Sequence, residues 1–540
     1  MIESKKVERE EARPYETYLD KKGLMSWLFT LDHKRIGLMY LTISMLFFLV
    51  GGLFALIFRS ELMFPGKQFL SPYAHNVLFT LHGAILIFMV IIPMIPAGFG
   101  NFFLPIMVGA KDVAFPRLNL MSVWLFAIGG ILLLLSLLFG PIDTGWTFYT
   151  PYSASKGLNV FIVSLAVFIL GMSSILTGLN FIVTTHKLRA KGMTWGRLPL
   201  FVWALYATSL VQIIATPVLG ITLLLLGLEN LFHIGFFNPK LGGDPVLFQH
   251  LFWFYSHPAV YLMILPAFGV VSEVVSIHSR KHIFGYWFIA ASSLAIAFIG
   301  FLVWGHHMFT AGMSPTADVL FSFLTFFVAV PTAVKIFNWV ATMYRGKVRF
   351  TTPMLYIFAF LFIFLVGGLT GLFLASVGTD IHLHDTYFVV AHFHFTMVGA
   401  AVFAIFAAFF HWLPKMFGRM YNERWAKVGW LLNFVGFNLT FIPQFIMGSM
   451  GMPRRYWDYP VEFWPYHFTS TIGAFTIATG VLISVAVILH AILKGKKAPD
   501  NPWGGMSLEW QIPSPPPTEN FLEEPVVEHG PYDFGKEEGH

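Results

Sequence analysis

Six histidines lie deep within apolar sequence: His82 in "TLHGAILIFM", His257 in "FWFYSHPAVY", the adjacent pair His306 and His307 in "VWGHHMF", and His392 and His394 in "VVAHFHFTMVG". A single buried imidazole can serve as an interhelical hydrogen bond. Polar side chains at membrane depth are costly, however, and usually face the protein interior or a functional site. Neutral imidazole is also the commonest metal ligand, so six together point to metal centres. At about 100° per residue, His392 and His394 point ~200° apart on a helix. They cannot ligate one ion, but they can serve two centres flanking the same helix, with Phe393 between them. His306 and His307 are neighbours near the end of their span, where a distorted helix would turn both toward one metal, and His257 offers a third ligand from another helix. Three histidines without a carboxylate suit copper better than a hard, oxygen-loving cation. His82 pairs with one member of "HFH" to give a six-coordinate haem iron, and the other member leaves its haem one open position for a small ligand.

These residues need a scaffold that holds them in hydrocarbon. The chain of 540 residues is 56% hydrophobic and only 11% charged, against roughly 25% charged in ordinary soluble domains. Apolar runs long enough to cross about 30 Å of hydrocarbon recur twelve times, starting near Ile36, Asn76, Leu118, Leu158, Leu198, Val246, Phe284, Pro315, Thr352, Thr386, Ala426 and Phe468. An all-α membrane protein follows, a bundle of twelve transmembrane helices, because lipid-facing backbone must satisfy its own hydrogen bonds.

Lysine and arginine collect in alternate connections: the N-terminal arm to Arg35, then "GAKDVAFPR", "THKLRAKGMTWGR", "HSRKH", "YRGKVR", "KMFGRMYNERWAK" and "KGKK". This set is expected on the cytoplasmic side, with both termini inside. Only "MPRR" breaks the pattern, and an arginine pair on the outside wants an anionic partner. The expected organisation is a cytoplasmic arm over 1–30, the twelve-span domain over 31–494 and a Pro-rich, acidic cytoplasmic tail over 495–540, an extended surface segment without a core of its own. The arm lacks the apolar core of a cleaved secretory leader. With no cysteine in the chain, disulfides, thiolate metal sites and covalently attached c-type haem are excluded. The net charge of +6 is accounted for by inner-leaflet contacts and carries no nucleic-acid meaning.

The set "HG…HPxVY…HH…HDTYFVVAHFH…MPRRY" covers nearly the whole membrane part, and on it the chain resembles subunit I of the haem-copper terminal oxidases, the cytochrome c oxidase type. The resemblance implies that His82 and His394 hold a low-spin haem and that His392 is the proximal ligand of a high-spin, oxygen-binding haem. It implies copper on His257, His306 and His307, two haems most simply of a type, and a function in reducing O₂ to water coupled to proton pumping. Tyr261 lies four residues after His257 and so on the same helical face. Splitting O₂ without releasing peroxide takes four electrons, of which haem iron can supply two and copper one. A nearby phenol can supply the last with a proton, and the resemblance implies a covalent link between Tyr261 and His257.

Proton routes follow from charge at depth. Lys335 in "VPTAVKIFNW" stands ~13 Å from the nearer end of its span at 1.5 Å per residue. An ammonium there costs about 2.5 to 3.5 kcal/mol on insertion scales, so burial with a function is expected rather than snorkelling. It matches the family's lysine path, with Thr332 one turn above and Ser272 near the entrance. Asp112 by itself reads as a loop charge; the resemblance makes it the mouth of a second path, with Asn101, Asn119, Asn180, Ser173 and Ser174 matching its polar residues. Two positions depart from the common pattern: Leu120 replaces an asparagine, and Ala259 stands where many relatives have the glutamate of His-Pro-Glu. A variant branch carries Tyr-Ser before His-Pro, here Tyr255 and Ser256, and residues 255 and 259 share a face. A phenol of reference pKa near 10 would relay protons through water rather than store them as a carboxylate does.

The resemblance also assigns Arg454 and Arg455 to haem propionates, Arg59 to a substituent of the low-spin haem, and His384 and Asp385 to a magnesium at the interface with a second subunit that carries a di-copper centre. Subunit III, other small membrane subunits, a respiratory supercomplex, and cytochrome c or an attached cytochrome domain are the further partners implied, in a bacterial inner membrane. Quinol-oxidising relatives carry a His and a Gln where this chain has Ala74 and Val77, which favours cytochrome c as donor. Nitric oxide reductase fits less well with Tyr261 and Lys335, and a twelve-span solute transporter would explain the topology without any metal.

Overall fold

The computed structural model describes residues 15–534; the rest of the N-terminal arm (1–14) and of the tail (535–540) lies outside the described residues. Eleven helices among the described residues are long and apolar enough to cross a membrane. They are α1 (His33–Glu61), α2 (Pro72–Val108), α3 (Pro116–Leu135), α4 (Leu158–Lys187), α5 (Leu200–Phe232), α6 (Pro245–Ser279), α8 (Pro315–Met343), α9 (Thr352–Ala375), α10 (Tyr387–Phe417), α11 (Glu423–Ser449) and α12 (Val461–Lys494). The segment expected from Phe284 is α7 (Tyr286–Gly300), shorter than the rest and continued by a 3-10 turn, Trp304–Met308. With it the bundle has the twelve expected segments.

Local sequence explains where the helices begin and bend. Asp32 and Ser71 accept backbone N–H groups at the starts of α1 and α2, satisfying donors that have no intrahelical partner. Pro93 and Pro96 cannot donate to the helix ladder, and α2 winds into wide π turns over Leu86–Ile91 and Met94–Gly100. A third π segment, His394–Gly399, interrupts α10 at the end of "HFH". Such turns shift the facing of every later residue and concentrate at functional sites.

The basic connections meet on one face of the bundle, and the C-terminal tail runs across it. Residues 419–420 pair with 496–497, Arg280 donates to the Gly504 carbonyl, Val527 N–H to Lys191, and Pro517 bridges Thr17. The tail is extended and has no core of its own, but it is more than a surface strand: Trp510 and Tyr532 are buried against the bundle. On the opposite face Pro453 bridges Thr386 and Arg454 pairs with Asp385.

Candidate functional site

A cavity of ≈ 1100 Å³ runs through the centre of the bundle, and all six deep histidines line it. On one side α6 brings His257, while the 3-10 turn after α7 brings His306 and His307; one nitrogen of each lies within 4.8 Å of the others. Both rings of this irregular turn lie beside His257, with centroids 4.4 Å (His306) and 5.2 Å (His307) from it. His257 Nδ1 is 3.0 Å from His307 Nε2, and its other nitrogen is 2.9 Å from the Tyr261 hydroxyl. The Tyr261 ring rests against α7 at Gly300, where an added Cβ would come within 2.5 Å of it.

Three neighbours of this cluster were not among the residues singled out from the sequence. Trp253 stacks on His307 with ring centroids 3.7 Å apart and planes 10° from parallel, and its indole donates to the Tyr149 hydroxyl at 2.6 Å. Thr325 Oγ1 lies 3.1 Å from His306 Nδ1. Only Trp253 had a readable hint, since it stands one turn before His257.

The "HFH" histidines diverge. His392 Nδ1 donates to the Gly367 carbonyl of α9 at 3.0 Å, with Thr370 Oγ1 at 3.1 Å. His394 Nδ1 donates to its own Val390 carbonyl at 2.8 Å, and its ring stacks on Phe441 of α11. His82 Nδ1 donates to the Gly51 carbonyl of α1 at 2.8 Å. In all three rings Nδ1 holds the proton and Nε2 keeps its lone pair, the form a metal takes.

A family model described as cytochrome C and quinol oxidase polypeptide I matches residues 35–476. The chain belongs to this family. Among relatives of the polypeptide I family, cytochrome c oxidase subunit 1 of Synechocystis is 50% identical over 94% of this chain and 92% of its own length. The subunit 1 of Bacillus sp. strain PS3 is 45% identical over 95% of this chain and 84% of its own. A heme-copper terminal oxidase dimer solved by cryo-EM shares the fold, with TM-score 0.70, 20% identity and coverage of 88% of this chain and 85% of that one. This polypeptide I is thus a multi-pass membrane protein and the catalytic subunit of a terminal oxidase, and its family implies haem and copper. The residues present fit those groups: three histidines present Nε2 to the cavity, three more converge without a carboxylate, and Gly52 on the cavity wall has open space where a Cβ would stand.

Other candidate residues of this polypeptide I fall into distinct surroundings. Arg59 is buried beside the cavity, donating to the His467 carbonyl at 2.8 Å and to Thr471 Oγ1 at 3.1 Å, with Nε left without a protein partner. Arg454, Arg455, His384 and Asp385 line the same cavity. The arginine pair therefore has an anion inside the chain: Arg454 Nε donates to Asp385 Oδ1 at 2.7 Å. Burial pushes the Asp385 carboxyl up, but Arg454 and its neighbours hold it below the usual range. Burial, with Arg454 alongside, brings the Arg455 guanidinium down to about 10. His384 Nδ1 faces Asp380 at 3.1 Å, and Asp380 is a residue the sequence did not single out.

Lys335 is buried on α8, and its ammonium donates to Ser293 Oγ at 2.7 Å and to the Ile289 carbonyl at 2.8 Å, both on α7. Thr332 lines the cavity one turn along. Ser272 accepts the Trp339 indole N–H at 3.0 Å. On the other route, Asn180 holds both backbone atoms of Phe115, and Ser173 joins Tyr40 and Ser122 in a hydroxyl cluster. Asn101 Oδ1, both amide atoms of Asn119, Ser174 Oγ and Ser256 Oγ are buried without a protein partner, and such atoms require water. Tyr255 is buried on α6, two residues before His257. The Asp112 carboxyl is pushed up to about 7, chiefly by burial.

Proposed function

We propose that this chain takes electrons from cytochrome c and, with O₂ as acceptor, forms water while moving protons across a bacterial inner membrane. The observation that carries this reading is the convergence of His257, His306 and His307 on one cavity with His392, with Tyr261 against the outer nitrogen of His257. Haem iron and copper, when bound, supply electron storage and a site for O₂.

In this reading His82 and His394 hold the low-spin haem, His392 the high-spin haem, and His257, His306 and His307 the copper. Carbonyls of Gly51, Val390 and Gly367 fix the three haem-directed rings in one tautomer, so no reorganisation is needed on binding. The Tyr261 phenol is placed to deliver a hydrogen atom, proton and electron together, at the copper side, and the 2.9 Å approach to His257 supports a covalent link between them. Reduction of one O₂ to two waters takes four electrons and four protons. Lys335 with Thr332 and Ser272 would bring protons toward Tyr261. Asp112 with Asn101, Asn119, Asn180, Ser173 and Ser174 would feed the second route, and Tyr255 with Ser256 would relay in place of the carboxyl absent at Ala259.

Arg59, Arg454 and Arg455 offer guanidinium donors to acidic or polar haem substituents, and His384 with Asp385 offers a hard-cation site for magnesium. Haems of a type, a di-copper second subunit, subunit III and further small subunits belong to the same reading, as do cytoplasmic termini on the basic face. The test is a reduced-minus-oxidised spectrum of the purified protein with metal analysis. Two haems, one copper and a carbon monoxide shift of one haem are expected; one haem, or no shift, overturns the proposal.

A further inference from the structure

The C-terminal tail places one side chain where the start of α1 meets the loop that carries Asp112. Asn520 is fully buried and takes a left-handed backbone, φ 66°. Its Oδ1 accepts the Lys34 ammonium at 2.8 Å, and its Nδ2 donates to His33 Nε2 at 2.9 Å. The same amide faces the carbonyls of Ala110 at 2.8 Å and Lys111 at 3.1 Å, on the residues just before Asp112. His33 passes the contact inward, since its Nδ1 donates to the Asn101 carbonyl at 2.6 Å. A second tail atom, the Thr518 carbonyl, takes Lys34 at 2.8 Å. Lys34 is thereby held on the tail, with Asp32 at 3.3 Å.

We propose that Asn520 is a positioning residue for proton entry: by clasping Lys34 and His33 it keeps Asp112 half-buried and fixes the charges around it. This rests on the reading of Asp112 as the mouth of a proton path. The groups facing Asp112 are few. From α1 and its cap come Asp32, Lys34 and the backbone N–H of His33, which bonds the carboxyl. From its own loop come the Val113 N–H at 2.7 Å and Lys111, and from the tail Glu519, which pairs with Lys111 at 3.3 Å in solvent. From α4 there are the neutral Asn180 and Thr184, bonded to Phe115 and Ala114. Burial is the largest influence lifting the acidity constant of Asp112, Asp32 adds to it and Lys34 opposes it. The tail holds Lys34 and the backbone just before Asp112 together.

The test compares Asn520→Gly and Asn520→Asp in the assembled oxidase. Glycine keeps the left-handed backbone but removes the clasp, so more water reaches Asp112. The infrared titration of its carboxyl and the alkaline limit of turnover should both move down by ~1 pH unit. Aspartate also tolerates that backbone, keeps the acceptor for Lys34 and adds a like charge, which moves both readouts up. A tail that merely stabilises the fold would shift neither, or would shift both variants alike, and either result overturns the proposal. Asp112→Asn identifies the infrared band and separates the two ideas. If it leaves proton uptake unchanged, the reading of Asp112 fails. If it slows uptake while the Asn520 variants match the unmodified protein, only the role of Asn520 fails.

Discussion

Trp253 lies flat on His307, ring centroids 3.7 Å apart. The indole is itself tied to Tyr149, so the orientation of one of three converging imidazoles is fixed by a residue outside the cluster. Supporting groups of this kind typically change metal affinity ~10-fold or more. Trp253→Leu is expected to lower the copper-to-haem ratio by metal analysis while the low-spin haem spectrum stays unchanged.

Tyr261→Phe keeps the ring against Gly300 and removes only the hydroxyl. Copper content should hold, and O₂ consumption should fall by roughly 10²-fold or more, the scale of a lost proton donor in the reaction. Steady-state oxygen electrode measurements on metal-replete protein check it.

Gly300→Ala tests the same contact from the other side. A Cβ within 2.5 Å of the Tyr261 ring must displace it, at about 1–3 kcal/mol for overpacking. Thermal inactivation at lower temperature, with slowed turnover, is the expected pair of observations.

Lys335→Met removes the ammonium that binds Ser293 and the Ile289 carbonyl. Reduction of the low-spin haem should proceed at its usual rate while reduction of the haem–copper pair stalls, as read by stopped-flow absorbance. Ser293→Ala should slow the same step to a lesser degree.

Glu509 in the tail accepts Ser507 Oγ at 2.8 Å and is otherwise enclosed; burial pushes its carboxyl up to about 7. Between the ordinary value of 4.5 and about 7 the docked tail binds more protons than the released one. Docking therefore weakens as pH rises across that window and stays at the weaker level above it. Protease cleavage of the tail should accelerate from pH 5 to pH 7.5, and Glu509→Gln should flatten the profile.

The histidines were legible because imidazole is conspicuous in apolar sequence, and the two-residue offset of His392 and His394 already implied two directions. Alternation of basic connections gave the sidedness of the loops, which the tail contacts reproduce. Helical periodicity says which residues share a face but not which helix lies opposite. That is why Trp253, Thr325 and Ser293 went unremarked: each matters only through a partner distant in sequence; Asp380, four residues before His384, was legible by spacing and overlooked. The tail was misjudged for a related reason. Its proline and acid content reads as solvent-exposed, whereas Trp510, Tyr532 and Asn520 find their burial in loops that sequence alone cannot bring to them.

Thr518 N–H donates to the Glu16 carbonyl, so the stretch before the first span and the stretch after the last are stitched together. During synthesis, every membrane segment emerges before Asn520 does. The loops at 109–111, 191 and 280–282 therefore wait, their partners still unmade, until the tail after the last span has been made. Sealing of that face follows insertion of the last span, and a chain interrupted there would be inserted yet lack the contacts that Asn520 makes beside Asp112.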